Sequence, residues 1–111
     1  MIRDNGVDSD TLLYVGRTGS RADSVFQTLK KHFSVVATAS GRDALETLKS
    51  LTPAAIVIDA ASMRTPGERI CRTIRAAYPR AQILHILPVD TESDIMPDAD
   101  IVLKQPLTTR R

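Results

Sequence analysis

Apolar residues fall along this chain in two alternating rhythms. Short runs at residues 11–15 (TLLYV), 34–38 (SVVAT), 54–59 (AAIVID), 82–87 (QILHIL) and 100–104 (DIVLK) have the length and composition of strands. Between them, apolar residues recur at steps of three and four. Ala22, Val25, Phe26, Leu29 and Phe33 make one stripe, and Ala44, Leu45, Leu48 and Leu51 a second. Ile70, Cys71, Ile74 and Ala77 make a third, closed before Pro79. Each stripe predicts an amphipathic helix with one face on a core. Ser20 to Asp23 and Ser40 to Asp43 repeat the pattern S-x-x-D, a capping box with aspartate in the acidic position. Gly16-Arg17-Thr18-Gly19 and Pro66-Gly67 supply turns. Alternating strands and helices predict an α/β fold with a parallel sheet and right-handed crossovers.

The rhythm fails at three places. Residues 1–10 are polar and without period, and are expected to form a flexible tail ahead of a domain spanning 11–111. Between the fourth and fifth strands lie about a dozen residues holding Pro88, Pro97 and the acids Asp90, Glu92, Asp94 and Asp98, so a helix there has a turn or two at most. After the fifth strand the sequence reaches Arg111 with no room for a closing helix. The sheet face beside the first helix is therefore expected to be partly bare in strands one, three and five, and to favour a homodimer.

Composition narrows the class. A chain of 111 residues makes one domain with a real core. With 42% hydrophobic residues, 4% aromatic residues and no Trp, that core is aliphatic, as a buried parallel sheet requires. A net charge of +2 and few rings to stack on bases argue against nucleic acid as the partner. The single cysteine, Cys71, excludes an internal disulfide and any multi-cysteine metal site, and on the inward stripe it reads as an inert thiol. No apolar run approaches the length of a membrane span and no signal peptide is visible, so the expected location is cytoplasmic.

Candidate chemistry centres on Asp59. It ends the apolar run 54–58, at the carboxyl edge of a buried strand, where open α/β sheets build their sites. The stretch TASGRDALETLKSLTPAAIVID resembles the second helix and phosphoacceptor strand of the receiver domain of two-component response regulators. Residues 68–75 (ERICRTIR) are similar to its third helix, with Gly67 eight residues after Asp59 where the family places a glycine. Residues 99–106 look like its fifth strand and the turn that follows. The resemblance covers residues 11–107 and implies a three-layer, flavodoxin-like sheet in the order 2-1-3-4-5, with the fourth helix short or absent and the fifth missing.

The resemblance also implies a site, and this chain keeps little of it. The phosphoacceptor is Asp59. Where the family holds Mg²⁺ with two acids after the first strand, this chain has Gly16 and Arg17. The hydroxyl residue ending strand four is replaced by Leu87 or Pro88, the lysine before the last proline by Gln105, and the aromatic of strand five by Val102. Lys104, beside Gln105, points to the other face. The expected reading is a degenerate receiver, not an enzyme, without metal or cofactor. It signals by binding a protein partner, with Asp59 held in a structural ion pair by Arg17. The alternatives are a conventional receiver phosphorylated on Asp59 by a histidine kinase, and a small α/β nucleotide-binding domain using the glycine turn at 16–20. Arg69, Arg72 and Arg75, spaced by three, could form the partner surface. His85 is expected to be a satisfied core or edge histidine, and His32 an ordinary cation at a helix end.

Overall fold

In the computed structural model, which describes residues 8–17, 25–63, 67–87 and 98–104, five parallel strands form one sheet in the order β2-β1-β3-β4-β5. The strands are β1 (Asp8–Val15), β2 (Ser34–Thr38), β3 (Pro53–Asp59), β4 (Ile83–Leu87) and β5 (Ile101–Lys104). The helices are α1 (Val25–Lys30), α2 (Gly41–Leu48) and α3 (Gly67–Ala77), with one 3₁₀ turn at Ala60–Ser62. Successive strand residues point to opposite faces, so a strand apolar throughout is buried on both. Leu13, Val15, Ile56, Ile58 and Ile83 pack on one face beneath Ala44, Leu48, Ile70, Cys71 and Ile74 of α2 and α3. Leu12, Tyr14, Val57 and Ile86 pack on the other, beneath Phe26 of α1.

The predicted architecture and strand order are those observed. The predicted capping box at Ser20, the linker around Pro97 and everything after Lys104, including the question of a fourth and fifth helix, lie outside the described residues. The second capping box forms: the Asp43 amide donates to Ser40 Oγ at 3.2 Å, while Asp43 places its charge in the first turn of α2. Removing the hydroxyl in Ser40→Ala is expected to cost about 1 kcal/mol, read from the urea midpoint. No change in that midpoint would mean that the cap is idle.

Four details depart from the pattern. β1 starts three residues early, at Asp8, which pairs with Pro53 before the register shifts ahead of Leu12. The pairing of polar residues with a neighbouring strand is invisible to a hydrophobic pattern. Phe33, placed on the α1 stripe, comes after the helix ends and is 42% exposed. Ala77, at the end of the α3 stripe, is exposed. The face beside α1 is not bare at β1 and β3, where Leu12, Tyr14 and Val57 are buried, but it is open at β5, where Ile101 is 57% exposed. β2 is the other edge of the sheet, with Ser34, Val36 and Ala37 all exposed.

Arg75 ties the far side of the sheet together. Its guanidinium donates to the carbonyls of Pro79 at 2.8 Å, Ala81 at 2.7 Å and Asp98 at 3.0 Å, and to Asp100 Oδ2 at 2.8 Å. The same carboxylate oxygen accepts the Ile83 amide at 2.8 Å. One planar fork thus joins the end of α3 to the starts of β4 and β5, which no apolar contact there could do with comparable direction.

Candidate functional site

The register sets the site. Val15 of β1 lies opposite Ile58 of β3, so the two strands end together at one edge of the sheet. Tyr14, opposite Val57, and Asp59, two residues beyond Val57, point to the same face. Tyr14 Oη donates to Asp59 Oδ2 at 2.5 Å. It also lies 3.0 Å from the Arg17 carbonyl oxygen. Ser62, in the turn after β3, donates its hydroxyl to the Asp59 carbonyl at 2.8 Å and accepts the Arg17 amide at 2.9 Å. Tyr14 is held from behind by Phe26, with ring centroids 5.2 Å apart.

Gly16 closes this cluster. A Cβ on it would stand 2.8 Å from Ser62 Oγ, 3.0 Å from Asp59 Cβ and 3.1 Å from Tyr14 Oη, so only a glycine lets the backbone cross so near. The result is a carboxyl only 4% exposed, its Oδ2 capped by Tyr14 and its Oδ1 without a hydrogen-bond partner among the described residues. Burial raises the Asp59 carboxyl above its usual range, and the bonds from Tyr14 and Ser62 offset this only in part. Burial, and then the bond to Asp59, also hold the Tyr14 hydroxyl far above its ordinary value, so it stays a donor.

The expected ion pair is replaced. Among the described residues Arg17 makes no ion pair with Asp59; its side chain is exposed and its backbone does the binding. Tyr14 takes the position beside the carboxyl because it approaches from inside the core, on the same face and one strand away. Leu87 is buried and gives the site no donor, and Val102 is partly buried. Pro88 and Gln105 lie outside the described residues. Tyr14 and Ser62 are the site residues that the sequence reading overlooked. Tyr14 had a visible signal, a polar-tipped ring in an otherwise aliphatic strand that ends at the same edge as Asp59. Ser62 had none.

The groups present do not suit Mg²⁺, which asks for several oxygen ligands in octahedral array. Gly16 offers no side chain and Arg17 a cation, and Tyr14 already occupies one oxygen of Asp59. Among the described residues no three His, Cys, Asp or Glu gather where an ion could sit. No helix among them is long and apolar enough to cross a membrane.

On the opposite face, His85 is fully buried against Gly67 and Ala60, and neither ring nitrogen has a partner among the described residues. It is a core histidine as expected, but not a satisfied one. Burial lowers its pKa, opposed weakly by Glu68, so the ring is neutral. Cys71, also buried, is pushed up to about 11 and is inert at neutral pH. On α3, Arg69 and Arg72 are exposed, Arg72 lying 3.5 Å from Glu68. Arg75 leaves that row, because its side chain is only 23% exposed and fully engaged in the clasp with Asp100. A cavity of about 640 Å³, lined in part by Leu48, Ile56, Tyr78 and Arg80, opens at the other end of β3 and has no part in the Asp59 site.

No protein-family model matches the chain, and no curated protein matches it. Solved structures do. An uncharacterized protein from Neptuniibacter caesariensis is 20% identical with a TM-score of 0.72, over 88% of this chain and 77% of its own. A candidate response regulator from Chloroflexus aurantiacus J-10-fl is 24% identical with a TM-score of 0.70, over 89% of this chain and 87% of its own. A response regulator receiver protein from Sinorhizobium medicae WSM419 is 25% identical with a TM-score of 0.61, over 91% and 86%. The fold is that of the response regulator receiver domain.

Proposed function

We propose that this chain is a receiver-like signalling module that works by binding a protein partner and does not use phosphoryl transfer at Asp59. The observation that carries this reading is the Tyr14 hydroxyl seated on the carboxyl of Asp59, in a pocket roofed by Gly16. Phosphoryl transfer to a carboxylate needs an exposed anionic oxygen and neutralisation of the incoming charge. Here the oxygen is capped and buried, burial raises the carboxyl above its ordinary range, and the residues beside it do not suit a metal. A phosphoryl group would bring about two negative charges into contact with a tyrosine and a glycine backbone.

The partner is a protein. Arg69 and Arg72 on the outer side of α3 offer it a basic surface, suited to an acidic patch on a regulatory or effector domain. The exposed edge at Ile101 and Leu103 makes a second copy of the chain the other candidate. The test of the whole reading is incubation of the chain with acetyl phosphate and millimolar Mg²⁺, followed by intact-mass spectrometry. No phosphoryl adduct is expected. A stoichiometric adduct lost in Asp59→Asn would overturn the reading in favour of a conventional receiver.

A further inference from the structure

Tyr14 has one hydroxyl hydrogen, yet two acceptors lie within its reach. Asp59 Oδ2 is 2.5 Å away and the Arg17 carbonyl oxygen 3.0 Å away. A single hydrogen serves only one of them well. If Asp59 is ionised, Tyr14 donates to the carboxylate and the Arg17 carbonyl loses this donor. If Asp59 is protonated, its O–H donates to the Tyr14 oxygen and Tyr14 donates onward to Arg17. Only the second arrangement gives every oxygen of this row a hydrogen. A separation of 2.5 Å suits an O–H···O bond running either way.

We propose that Asp59, Tyr14 and the Arg17 carbonyl form a protonation-gated latch, in which the neutral acid fastens the Arg17 carbonyl to the site through Tyr14 and the ionised acid releases that carbonyl. The turn is held at three points, the first of them the Gly16 amide, which donates to the Thr38 carbonyl at 3.0 Å and does not involve Asp59. Ser62 accepts the Arg17 amide while its hydroxyl donates to the Asp59 backbone carbonyl, so this hold does not need the acid to be neutral. Tyr14 grips the Arg17 carbonyl only when it need not serve a carboxylate. Release sends one proton from Asp59 to solvent and turns the Tyr14 hydroxyl by a single torsion.

The surroundings favour the neutral acid. From β1 the facing group is Tyr14, and from the turn after it Arg17, which is exposed and unpaired with Asp59 among the described residues. The turn after β3 presents the uncharged Ser62 hydroxyl. From α1, Lys30 stands over Phe26, behind Tyr14, with 5.2 Å between its ammonium and the ring centre. On β4 the neighbour opposite Asp59 is the apolar Ile86, while His85 points to the other face. On β5, Leu103 and Val102 are apolar. Burial, the largest influence on Asp59, therefore acts with no paired cation against it. The sign follows: the latch is closed at low pH and opens as pH rises through an Asp59 value above the ordinary carboxylate range, about 3.9. The inference deepens the proposed function and rests on it in one respect, that Asp59 is not taken up by a phosphoryl group.

The test is a pH titration of the full chain, labelled with carbon-13, following the Asp59 side-chain carboxyl and the Arg17 backbone carbonyl by NMR. Both should titrate with one midpoint, above the ordinary carboxylate range. In Tyr14→Phe the acid should still titrate while the Arg17 carbonyl no longer follows it. In Asp59→Asn the side-chain amide is a permanent donor to Tyr14, so the Arg17 carbonyl should keep its low-pH position throughout. A midpoint in the ordinary range, an Arg17 carbonyl indifferent to the acid, or one that still follows it in Tyr14→Phe would each overturn the latch. A phosphoryl adduct at Asp59 would instead sink the proposed function while leaving this titration readable.

Discussion

Gly67→Ala is expected to destabilise the chain by about 3 kcal/mol, the upper end of what overpacking a core commonly costs. The added methyl would collide with His85 Nε2 and stand 2.7 Å from Ala60 Cβ. Neither neighbour can yield. His85 is fully buried on a strand paired on both sides, opposite Ile58 and Val102, and Ala60 has no torsion to turn. The first turn of α3 must therefore lift from the sheet. Gly41→Ala is the control. There the nearest atoms are those of Ile70, at 3.2 and 3.3 Å, and the effect should be well under half as large. Adding His85→Ala to Gly67→Ala should recover only part of the loss, since Ala60 stays in the way. Urea unfolding of the four chains decides it. A Gly67→Ala midpoint within error of the Gly41→Ala midpoint would show that α3 does not rest on His85.

The second large effect is expected at Arg75. Arg75→Ala removes donors from a carboxylate and three carbonyls at once, and should cost about 2–3 kcal/mol, the range for hydrogen bonds to charged groups. The loss is no larger because the group is partly open and water can replace some of the lost bonds. Arg75→Lys should recover little, because an ammonium is a point and the three carbonyls are met by a fork. Arg72→Ala, which removes an exposed pair with Glu68, should stay within about 0.5 kcal/mol. The clasp also has a pH signature. The Ile83 amide, then Arg75, hold the Asp100 carboxyl below its ordinary range. Its contribution is therefore complete above about 3.9 and is lost as pH falls through the folded value. Thermal melts at neutral and acid pH test this. If Arg75→Ala melts no earlier than Arg72→Ala, the clasp is ornamental.

What the sequence made legible, and what it hid, divides along a physical line. Aliphatic strands and helix stripes state their own layer, and so the order of the sheet and the position of Asp59 at its edge could be read directly. The capping box at Ser40 could be read too, because both partners lie within one turn. The Tyr14–Asp59 bond could not, because it joins residues 45 apart through a register that no local pattern fixes. Charge alone suggested Arg17 as the partner of Asp59, yet a long exposed side chain loses to a short rigid one already inside. Arg75 misled for a similar reason. Its spacing from Arg69 and Arg72 looked like part of one partner surface, while its function is set by carbonyls, and a sequence does not show where those point. His85 looked ordinary, and that its ring has no partner among the described residues shows only once Gly67 is seen to lie against it.

The outer edge of β2 has a consequence for handling the protein. A strand reading SVVAT carries no proline and no charge to deter another strand, and among the described residues nothing pairs with its outer side. Such an edge is a template for foreign strands. The exposed Lys31, three residues upstream, offers one guard: a copy docking in parallel register would bring like charges together. That guard is a Coulomb field with a reach of roughly 10 Å at 0.1 M salt, shrinking to about 3 Å at 1 M. Concentrated salt, usually the friend of a basic protein, therefore weakens that guard and leaves this edge more open to a foreign strand.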